Sequence, residues 1–484
     1  MIRIPWLELA ILIPVIGAML ALFVRDTLRA TLVCQIVSAV TLVLSILGWL
    51  ESYLGRMLFG GVSSDWLGRL VSMSPIRVDE LAAPLVPAIA LLFFLTALAT
   101  TRTKVARFPF ALILLAESIS LTMFACQEPA IVVGLLALST VPPLFDLLQR
   151  QKPVRLYLLH QLLFLGLLLG GWFVREQMTQ LPDEAWIIPL MLAVIVRAGF
   201  FPFHGWITDL FENASLGMSI TAVVPVAGAY AAVRVLFTLV PEWALQWIAG
   251  LAMCTAIYAA GMALVQGETR RFFTFLFLSQ SSLILVGLDL ATPLSLTGAL
   301  CVWFSVILSM GGLGLTLRAL ESRYGRQSLR RFHGLYDNAP ILAVFFILTG
   351  LASVGFPGTL GFISSELLVD GALEANRLIG VLVVIAEAMN GIAIIRVYFI
   401  LFTGSRNAST LPLLVNGRER LAIITMALLI LGGGFFPQPG IASRHKAAEE
   451  LIHSRDRFHA PADGDSESEF EPRHEGGTTG TQDE

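Results

Sequence analysis

The sequence predicts an all-helical, polytopic membrane protein, and composition and apolar segment length both indicate this class. Of 484 residues, 56% are hydrophobic and only 14% are charged, and the mean hydropathy is +0.78. A soluble domain carries about 25% charged residues. Apolar runs of about 18 or more residues recur along the chain, and each can cross a hydrocarbon core about 30 Å thick. A membrane β-barrel would show short alternating strands instead.

The apolar runs divide the chain into about fourteen predicted membrane spans. The first lies in "MIRIPWLELAILIPVIGAMLALFVRD", which has no cleavage site of the A-x-A type and is long enough to cross the membrane. We therefore interpret it as a helix rather than a signal peptide. The predicted spans cover residues 7–24, 28–50, 81–101, 108–126, 130–149, 155–175, 186–203, 217–240, 244–265, 272–290, 295–318, 339–356, 378–403 and 421–437.

Composition also predicts four parts along the chain. Residues 1–79 hold two helices and a polar loop from residue 51, and residues 80–405 form the main transmembrane domain. Residues 406–438 contain the last span. Residues 439–484 are a polar, mostly acidic tail that includes "DGDSESEFEP", and we expect it to be disordered because it has too few apolar residues to bury a core.

The positive charges predict the orientation of the spans. The loops after odd-numbered spans carry 18 Lys and Arg residues, whereas the loops after even-numbered spans carry 5. Loops rich in Lys and Arg stay on the cytoplasmic side of a membrane. The odd-numbered loops are therefore expected to face the cytoplasm, and both termini to face outward.

Two spans contain the same kind of interruption. Span 7 includes "AGFFPFHGW" and span 12 includes "SVGFPGTLGF", so both place Gly and Pro in mid-membrane, five spans apart. Proline frees a backbone carbonyl and bends a helix. Paired interruptions of this kind are typical of transporters built from inverted repeats. The pattern predicts repeats over spans 4–8 and 9–13 with broken helices 7 and 12; the alternative is two unrelated proline kinks.

A guanidinium lies deep in span 7. Arg197 is eleven residues past Trp186, which is about 16 Å along a helix and near mid-bilayer. An unpaired arginine there would cost at least about 2.5–3.5 kcal/mol, so we expect a partner. Glu117 is ten residues past Arg107 in span 4 and lies at a similar depth. The sequence therefore predicts an ion pair between Glu117 and Arg197.

Other ionisable residues in the spans are candidates for an ion pathway. Glu387 in span 13 is either a titratable site or an ion-pair partner, with Arg396 nine residues on. Glu366 and Asp370 follow the break in span 12 and either line a half-channel or mark a re-entrant end. His204 follows the proline of span 7 and either shuttles protons or caps the broken helix, and we favour the cap.

The sequence predicts no catalytic residue, metal site or cofactor in the chain itself. The four cysteines, Cys34, Cys126, Cys254 and Cys301, lie in separate spans and form no C-x-x-C or Cys/His cluster. This spacing indicates neither an iron–sulfur cluster nor a disulfide framework. No nucleotide-binding motif is present, and a net charge of −3 says little about partners. We expect no nucleic-acid partner.

Three segments resemble the antiporter-like membrane subunits of respiratory complex I, a family shared with multisubunit cation/proton antiporters and membrane-bound hydrogenases. "RAGFFPFHGWITDLFENAS" is similar to the family's Lys-x-Ala-x-x-Pro-x-His-x-Trp-Leu-Pro-Asp-Ala, with Pro202, His204, Trp206 and Asp209 matching. "ETRRFFTFLFLSQSS" resembles the opening of its helix 10, and "FHGLYDNAPILAVFFILTGLASVGFPGTLGFISSE" its loop and broken helix 12. The likeness runs from about residue 80 to residue 405, so the chain is identified as a divergent member.

The resemblance implies a fold of fourteen helices with two inverted five-helix repeats. It also implies a role in carrying protons or Na⁺ along a buried chain of Lys, Glu and His residues. Such subunits work with other membrane subunits and with a soluble redox or enzyme module, in an energy-coupling membrane such as the bacterial plasma membrane. The NADH, flavin and quinone chemistry of an NADH:quinone oxidoreductase-type complex would belong to those partners.

The chain departs from the family at its ionisable positions. The glutamate of helix 5 falls on Ala137, the lysine of helix 8 on Val226, and the lysine of the second half near Gly311. The ionisable residue of helix 12 falls on Ser365, and the lysine of helix 7 on Arg197. A guanidinium keeps its proton in proteins, so Arg197 is expected to set a field or hold a carboxylate rather than relay protons.

Three functions remain open at this point. The chain is an ion-translocating subunit, an accessory scaffold subunit that has lost the proton relay, or an energy-coupling membrane partner of a soluble enzyme. The resemblance supports the first function, whereas the missing charges favour the other two.

Overall fold

The computed structural model describes residues 5–24, 26–59, 78–100, 108–178, 180–404 and 415–459. Within these ranges the chain is helical, and no β-strand is formed. The predicted all-helical class is confirmed.

Twenty helical segments follow one another in the described ranges, and one of them is a π-helix. The first half contains α1 (Trp6–Phe23), α2 (Thr27–Phe59), α3 (Leu85–Leu98), α4 (Phe110–Ala125), α5 (Pro129–Leu138), α6 (Val141–Gln149), α7 (Arg155–Gln177), α8 (Glu184–Ala198), α9 (Gly205–Asn213), α10 (Leu216–Val223), α11 (Ala227–Ala231) and the π-helix Ala232–Phe237. The second half contains α12 (Glu242–Val265), α13 (Thr269–Asp289), α14 (Pro293–Tyr324), α15 (Pro340–Ala352), α16 (Leu360–Ala375), α17 (Arg377–Phe402), α18 (Gly417–Phe435) and α19 (Gln438–His459).

Each predicted span falls on one of these helices or on a consecutive set. In the described part of the chain, nine helical segments are long and apolar enough to cross a membrane, or ten if a strongly bent pair counts as one span. Helices α3, α4 and α15 are apolar but shorter. Fourteen crossings and two inverted repeats remain predictions.

The breaks in spans 7 and 12 are confirmed. Helix α8 ends at Gly199, whose φ of 73° lies in the left-handed region, and the chain turns through Pro202 before α9 begins. Between α15 and α16, Gly355 and Gly358 have φ values of 76° and 83°. Glycine adopts this conformation without steric cost, whereas a proline cannot donate a helical hydrogen bond. The Gly/Pro pattern therefore interrupts both helices.

Two further breaks were not predicted. Span 5 is divided at Ser139 and Thr140, just before two consecutive prolines. Span 8 is divided around Pro225, where Val226 has a φ of 57°, and continues into the π-helix. A left-handed valine is sterically unfavourable, and nothing in the residue type announces it. The backbone of both spans is thus irregular close to Ala137 and Val226, the positions where the resemblance implies ionisable residues.

The predicted loop after span 2 begins too early. Helix α2 continues to Phe59, so the expected loop start at residue 51 is wrong. Segment 51–59 combines leucine, tyrosine and phenylalanine with few charges, which is compatible with a helix that continues past the apolar core. Residues 60–77 of that loop lie outside the described residues.

The predicted disorder of residues 439–484 is wrong over the first half of this tail. Residues 438–459 form α19, whose axis meets that of α18 at 80°. Ala447, Ala448 and Leu451 are buried at helical spacing, and they pack with the neighbouring membrane helices. Three small apolar residues on one face are enough to attach an otherwise polar helix. The acidic stretch lies outside the described residues.

The interior of the molecule is formed by α13 and α14. In an apolar stretch of 18 residues, all residues of α13 and 94% of those of α14 are buried. The corresponding shares are 28% for α7 and 33% for α17. The exposed surfaces of α7 and α17 are apolar, with Leu159, Leu162, Val381 and Ile392 among their exposed side chains. Such surfaces suit lipid or other membrane subunits.

Candidate ion-pathway site

Arg197 is buried at the carboxyl end of α8, two residues before the left-handed Gly199. Only 7% of it is exposed. Its Nη2 donates to Ser139 Oγ at 2.9 Å, and its guanidinium lies 5.3 Å from the ring centre of Trp206 and 5.8 Å from that of Phe164. The Trp206 indole is fixed by a 2.9 Å hydrogen bond from Nε1 to the Val196 carbonyl. Cation–π contacts of this kind stabilise a desolvated arginine without a carboxylate.

The predicted ion pair between Glu117 and Arg197 is wrong. Glu117 is fully buried, and its Oε2 accepts a 2.7 Å hydrogen bond from Ser38 Oγ on α2. The face of α4 that approaches Arg197 carries Ala116 and Ser120 instead. Successive residues of a helix point about 100° apart, so a residue at the right depth can still face the wrong way. Depth was predictable from residue counting, but direction was not.

Arg197 lies between two small crevices. One, of about 10 Å³, is lined by Ser120, Ser139 and Pro142. The other, of about 20 Å³, is lined by Trp206, Val226 and Ser281. Cavities of this order have room for about one water molecule each. Most of their lining is apolar, so a few serine hydroxyls and the Arg197 guanidinium are the side-chain groups available to bind such a water.

Three of the five family positions carry neutral residues. Ala137, next to the last residue of α5, is half-buried, and its carbonyl accepts from Thr140 Oγ1 at 2.8 Å. Val226 is buried in its left-handed conformation. Gly311 is buried on α14, where a Cβ atom would come within 2.9 Å of Leu92 Cδ1. No long ionisable side chain fits at Gly311 without displacing a neighbour.

The fourth position, Ser365, contacts a half-buried acid of the next helix. Ser365 Oγ on α16 donates a 2.6 Å hydrogen bond to Glu387 Oε2 on α17. Gly355, in the break before α16, packs against Ser365, and a Cβ atom there would lie only 3.0 Å from the serine side chain. The broken span thus presents a hydroxyl to the carboxylate at the place where the family has its own ionisable group.

Glu387 does not pair with Arg396. Nine residues separate them on α17, which is about 13 Å along the axis and two and a half turns, so they point to opposite sides. Glu387 has no cationic partner within 4 Å in the described part of the chain, and Arg396 Nη1 is buried there without a hydrogen-bond partner. Of the two interpretations of Glu387, the ion pair with Arg396 is therefore excluded.

A group of neutral polar residues continues from Glu387 into the centre of the molecule, and the sequence analysis missed it. Asn390, one turn further along α17, donates from Nδ2 to Ser279 Oγ on α13 at 2.8 Å. Asn390 Oδ1 and Gln280 Nε2 are buried without partners. The signal was available, because "SQSS" at residues 279–282 is a polar run inside an apolar span.

Helix α13 stands between the two polar regions. Ser281 lines the crevice beside Arg197, whereas Ser279 contacts Asn390. Residues two apart on a helix point about 200° apart, so the SQSS run is polar on both sides of α13. We call the residues Ser139, Arg197, Ser281, Ser279, Asn390, Glu387 and Ser365 the central polar series.

His204 does not act as the predicted helix cap. It occupies the residue before α9, yet its side chain makes no capping hydrogen bond. Its Nε2 lies 3.4 Å from the Tyr258 hydroxyl, and its ring is surrounded by Phe201, Tyr258 and Phe275. The cap interpretation is wrong because the aromatic rings hold the imidazole away from the helix axis. The proton-shuttle interpretation remains a prediction.

The other acids of span 12 lie away from the central polar series. Glu366 and Asp370 are exposed on α16. Glu366 follows Ser365 directly and therefore points away from the contact between Ser365 and Glu387. The structure thus brings Glu387, and not Glu366, into contact with Ser365, and Glu366 stays a prediction for a half-channel or a re-entrant end.

Residues 157–390, just under half of the chain, match the family described as NADH:quinone oxidoreductase/Mrp antiporter, TM. The predicted resemblance to antiporter-like membrane subunits is confirmed. The chain is an integral, multi-pass membrane protein.

Two curated relatives illustrate the match. NADH-quinone oxidoreductase subunit M of Rickettsia bellii is 26% identical over 274 residues, which cover 54% of this chain and 55% of that protein. Subunit N of Rhodococcus opacus is 26% identical over 267 residues, covering 54% of this chain and 49% of the relative. The matched part of the chain spans about half the length of these relatives.

Solved structures share the fold over nearly the whole chain. A chain of respiratory complex I from Thermus thermophilus with bound NADH has a TM-score of 0.77 at 22% identity, covering 93% of this chain and 99% of that one. A chain of the Mrp complex from Dietzia has a TM-score of 0.78 at 17% identity, covering 93% and 98%. At these identities the similarity shows the fold alone.

Proposed function

We propose that this chain is a membrane subunit of an ion-translocating complex and that Glu387 is its principal titratable group. The relatives are named as subunits of NADH-quinone oxidoreductase, and the similar solved chains come from a respiratory complex and an Mrp complex. The fold supports the same role here. We further propose that NADH, flavin or quinone chemistry resides in partner subunits, and that this chain holds no cofactor.

The observation that carries the proposal is the 2.6 Å contact between Ser365 and Glu387. The family has an ionisable residue on the helix that bears Ser365, whereas this chain places a carboxyl at the same spot from the neighbouring helix. A half-buried carboxyl that is hydrogen-bonded by one hydroxyl, with no cation within 4 Å among the described residues, can exist in both protonation states. In this proposal, Glu387 takes over the role of the ionisable group that the resemblance implies at Ser365.

Arg197 supplies a permanent positive field in this proposal. Its guanidinium stays protonated, so it repels any cation that enters the flanking crevices and orients water between them. Such a fixed charge separates the half of the pathway near Ser139 from the half near Glu387. Its contribution is electrostatic, and no proton passes through it.

We propose the proton rather than Na⁺ as the transported ion. Hard cations are bound by several oxygen ligands together, whereas Glu387 is contacted here by a single hydroxyl. A carboxyl with one donor can take up and release a proton with little rearrangement. We also propose that the host is a bacterial plasma membrane, that both termini face outward, and that other membrane subunits and a soluble module complete the complex.

A second candidate is an accessory scaffold, or an energy-coupling partner of a soluble enzyme, without proton transport in this chain. The neutral residues at the family positions Ala137, Val226 and Gly311 favour it, and Val226 and Gly311 are also buried. In that case the central polar series would stabilise helix packing only.

Proton uptake into liposomes that contain the whole complex distinguishes the ion-translocating function from the function without proton transport. We expect Glu387→Gln to abolish uptake through this subunit while assembly is preserved. The matched control is Glu374→Gln, which changes an exposed acid further along the adjacent helix and should leave uptake unchanged. Uptake unaffected by Glu387→Gln would contradict the proposal, and no uptake by the native complex would favour the scaffold.

A further inference from the structure

A large cavity lies at the bend between α18 and α19, outside the central polar series. Its volume is about 700 Å³, which is within the size range of small-ligand sites. The end of α2, the middle of α14, the start of α16 and the bend itself form its walls. Nothing in the proposed ion pathway uses it.

The wall of the cavity is apolar and aromatic. Trp49 and Tyr53 of α2 contribute neighbouring rings whose centres are 6.3 Å apart. Phe304 and Phe436 close the wall on the other side, and Phe436 is itself largely exposed. Trp and Tyr are enriched where a membrane meets water. This arrangement places the mouth of the cavity at the level of lipid headgroups, on the face that is predicted to be outward.

The rim of the cavity is charged and positive overall. Lys446 Nζ lies 2.7 Å from Glu80 Oε1, and Arg444 Nη1 donates to the Leu81 carbonyl at 2.8 Å. Two cations therefore accompany one carboxylate at the rim. The Lys446 side chain is 54% exposed, so its ammonium can also reach a group that arrives from the membrane surface.

We propose that this cavity binds an anionic phospholipid, with one acyl chain inside and the phosphate at Lys446. An apolar chamber beside a positive rim at the membrane interface matches the two parts of such a lipid. The bent helix α19, which carries both cations and runs across the helix ends, forms the roof. The inference goes beyond the proposed transport role and does not depend on it.

Photo-crosslinking from the cavity tests the occupant directly. Gly440 lines the cavity, and a Cβ atom there would meet nothing within 4 Å, so p-benzoylphenylalanine can replace it without a clash. The matched site is Gly250, which is exposed and also has open space around its Cβ position. Irradiation of membranes that hold the whole complex, followed by mass spectrometry, identifies what each site touches.

We expect phosphatidylglycerol adducts at residue 440, enriched about fivefold over the lipid mixture captured at residue 250. Adducts with lipid of bulk composition would overturn the proposed charge selection. Adducts with residues 60–77 of this chain or with another protein would overturn the lipid proposal altogether, as would the absence of any adduct.

Two substitutions test the two ends of the site by native mass spectrometry of the complex with added phosphatidylglycerol or phosphatidylcholine. Gly440→Trp fills the cavity and should remove the retained lipid, whereas Gly250→Trp should not. Lys446→Gln should reduce the preference for phosphatidylglycerol about fivefold, whereas Lys152→Gln, an exposed lysine elsewhere, should not. Equal retention in Gly440→Trp and the native protein would contradict the proposal.

Discussion

At the residue scale, two charged residues buried within the spans, Arg197 and Glu117, are kept apart instead of paired. Arg197 is held by a serine hydroxyl and two aromatic rings, and Glu117 by a serine hydroxyl. Counting residues along the helices predicted that Arg197 and Glu117 lie at a similar depth, because a helix rises by about 1.5 Å per residue. The direction of each side chain depends on how each helix is rotated about its axis relative to its neighbours. This rotation could not be predicted from the single sequence.

The separation of Glu117 and Arg197 leads to a clear prediction for Glu117→Gln. Glutamine still accepts the hydrogen bond from Ser38, so the loss of unfolding free energy should be only about 1 kcal/mol. Breaking a buried ion pair would instead cost about 3–5 kcal/mol. Thermal unfolding of the purified protein in detergent measures the difference. A large loss, or rescue by exchanging the two charges, would restore the ion pair.

Ser365 should tune proton release from Glu387. Ser365→Ala removes the hydroxyl that donates to the carboxylate, and hydrogen bonds to charged groups contribute about 1.5–3 kcal/mol. We therefore expect proton uptake by liposomes to fall about tenfold or more, without loss of assembly. The matched control is Ser364→Ala, whose hydroxyl donates to the Leu360 carbonyl and not to the acid. Equal effects of both changes would indicate a packing role.

At the element scale, the interrupted spans divide into those that could be predicted and those that could not. The breaks at Gly199 and Gly355 were visible because Gly and Pro occur together. The break at Val226 was not, since a lone Pro225 is compatible with a simple kink. Helix α19 was missed because its apolar face consists of small residues, which contribute little to a hydropathy profile.

Substitution of Gly199, the left-handed residue after α8, should destabilise the protein. Gly199→Ala would strain a residue with φ of 73° and press its Cβ against Ile207, so we expect a loss of more than about 1–2 kcal/mol. Gly358→Ala has a similar φ of 83° but open space, so its loss should be smaller. Thermal unfolding midpoints of the two variants give the comparison. Equal midpoints would show that the contact with Ile207 is unimportant.

Helix α19 should be required for a stable protein. Truncation after residue 437 removes the buried Leu451 and the hydrogen bond from Arg444 to Leu81, so we expect the purified yield to fall sharply. Truncation after residue 459 keeps these contacts and should leave the yield unchanged. Size-exclusion chromatography of both truncated proteins measures this. Similar profiles for the two would mean that α19 does not stabilise the fold.

At the scale of the whole molecule, the class of protein was predictable and the working site was only partly so. Length of apolar segments, positive charge and the Gly/Pro pattern follow from the bilayer itself, and therefore they appear in any single sequence of this class. The contact between Ser365 and Glu387 joins two helices, and the residues 22 positions apart meet only after folding. The polar run at residues 279–282 was visible in the sequence, yet its role depends on the helices around α13.

The central claim is that Glu387 changes its protonation state during turnover. Infrared difference spectroscopy of the complex in lipid, with turnover started by its electron donor, follows carboxyl groups directly. We predict a carboxyl band that is absent in Glu387→Gln and unchanged in Glu374→Gln. A spectrum in which Glu387→Gln leaves every carboxyl band in place would contradict the account.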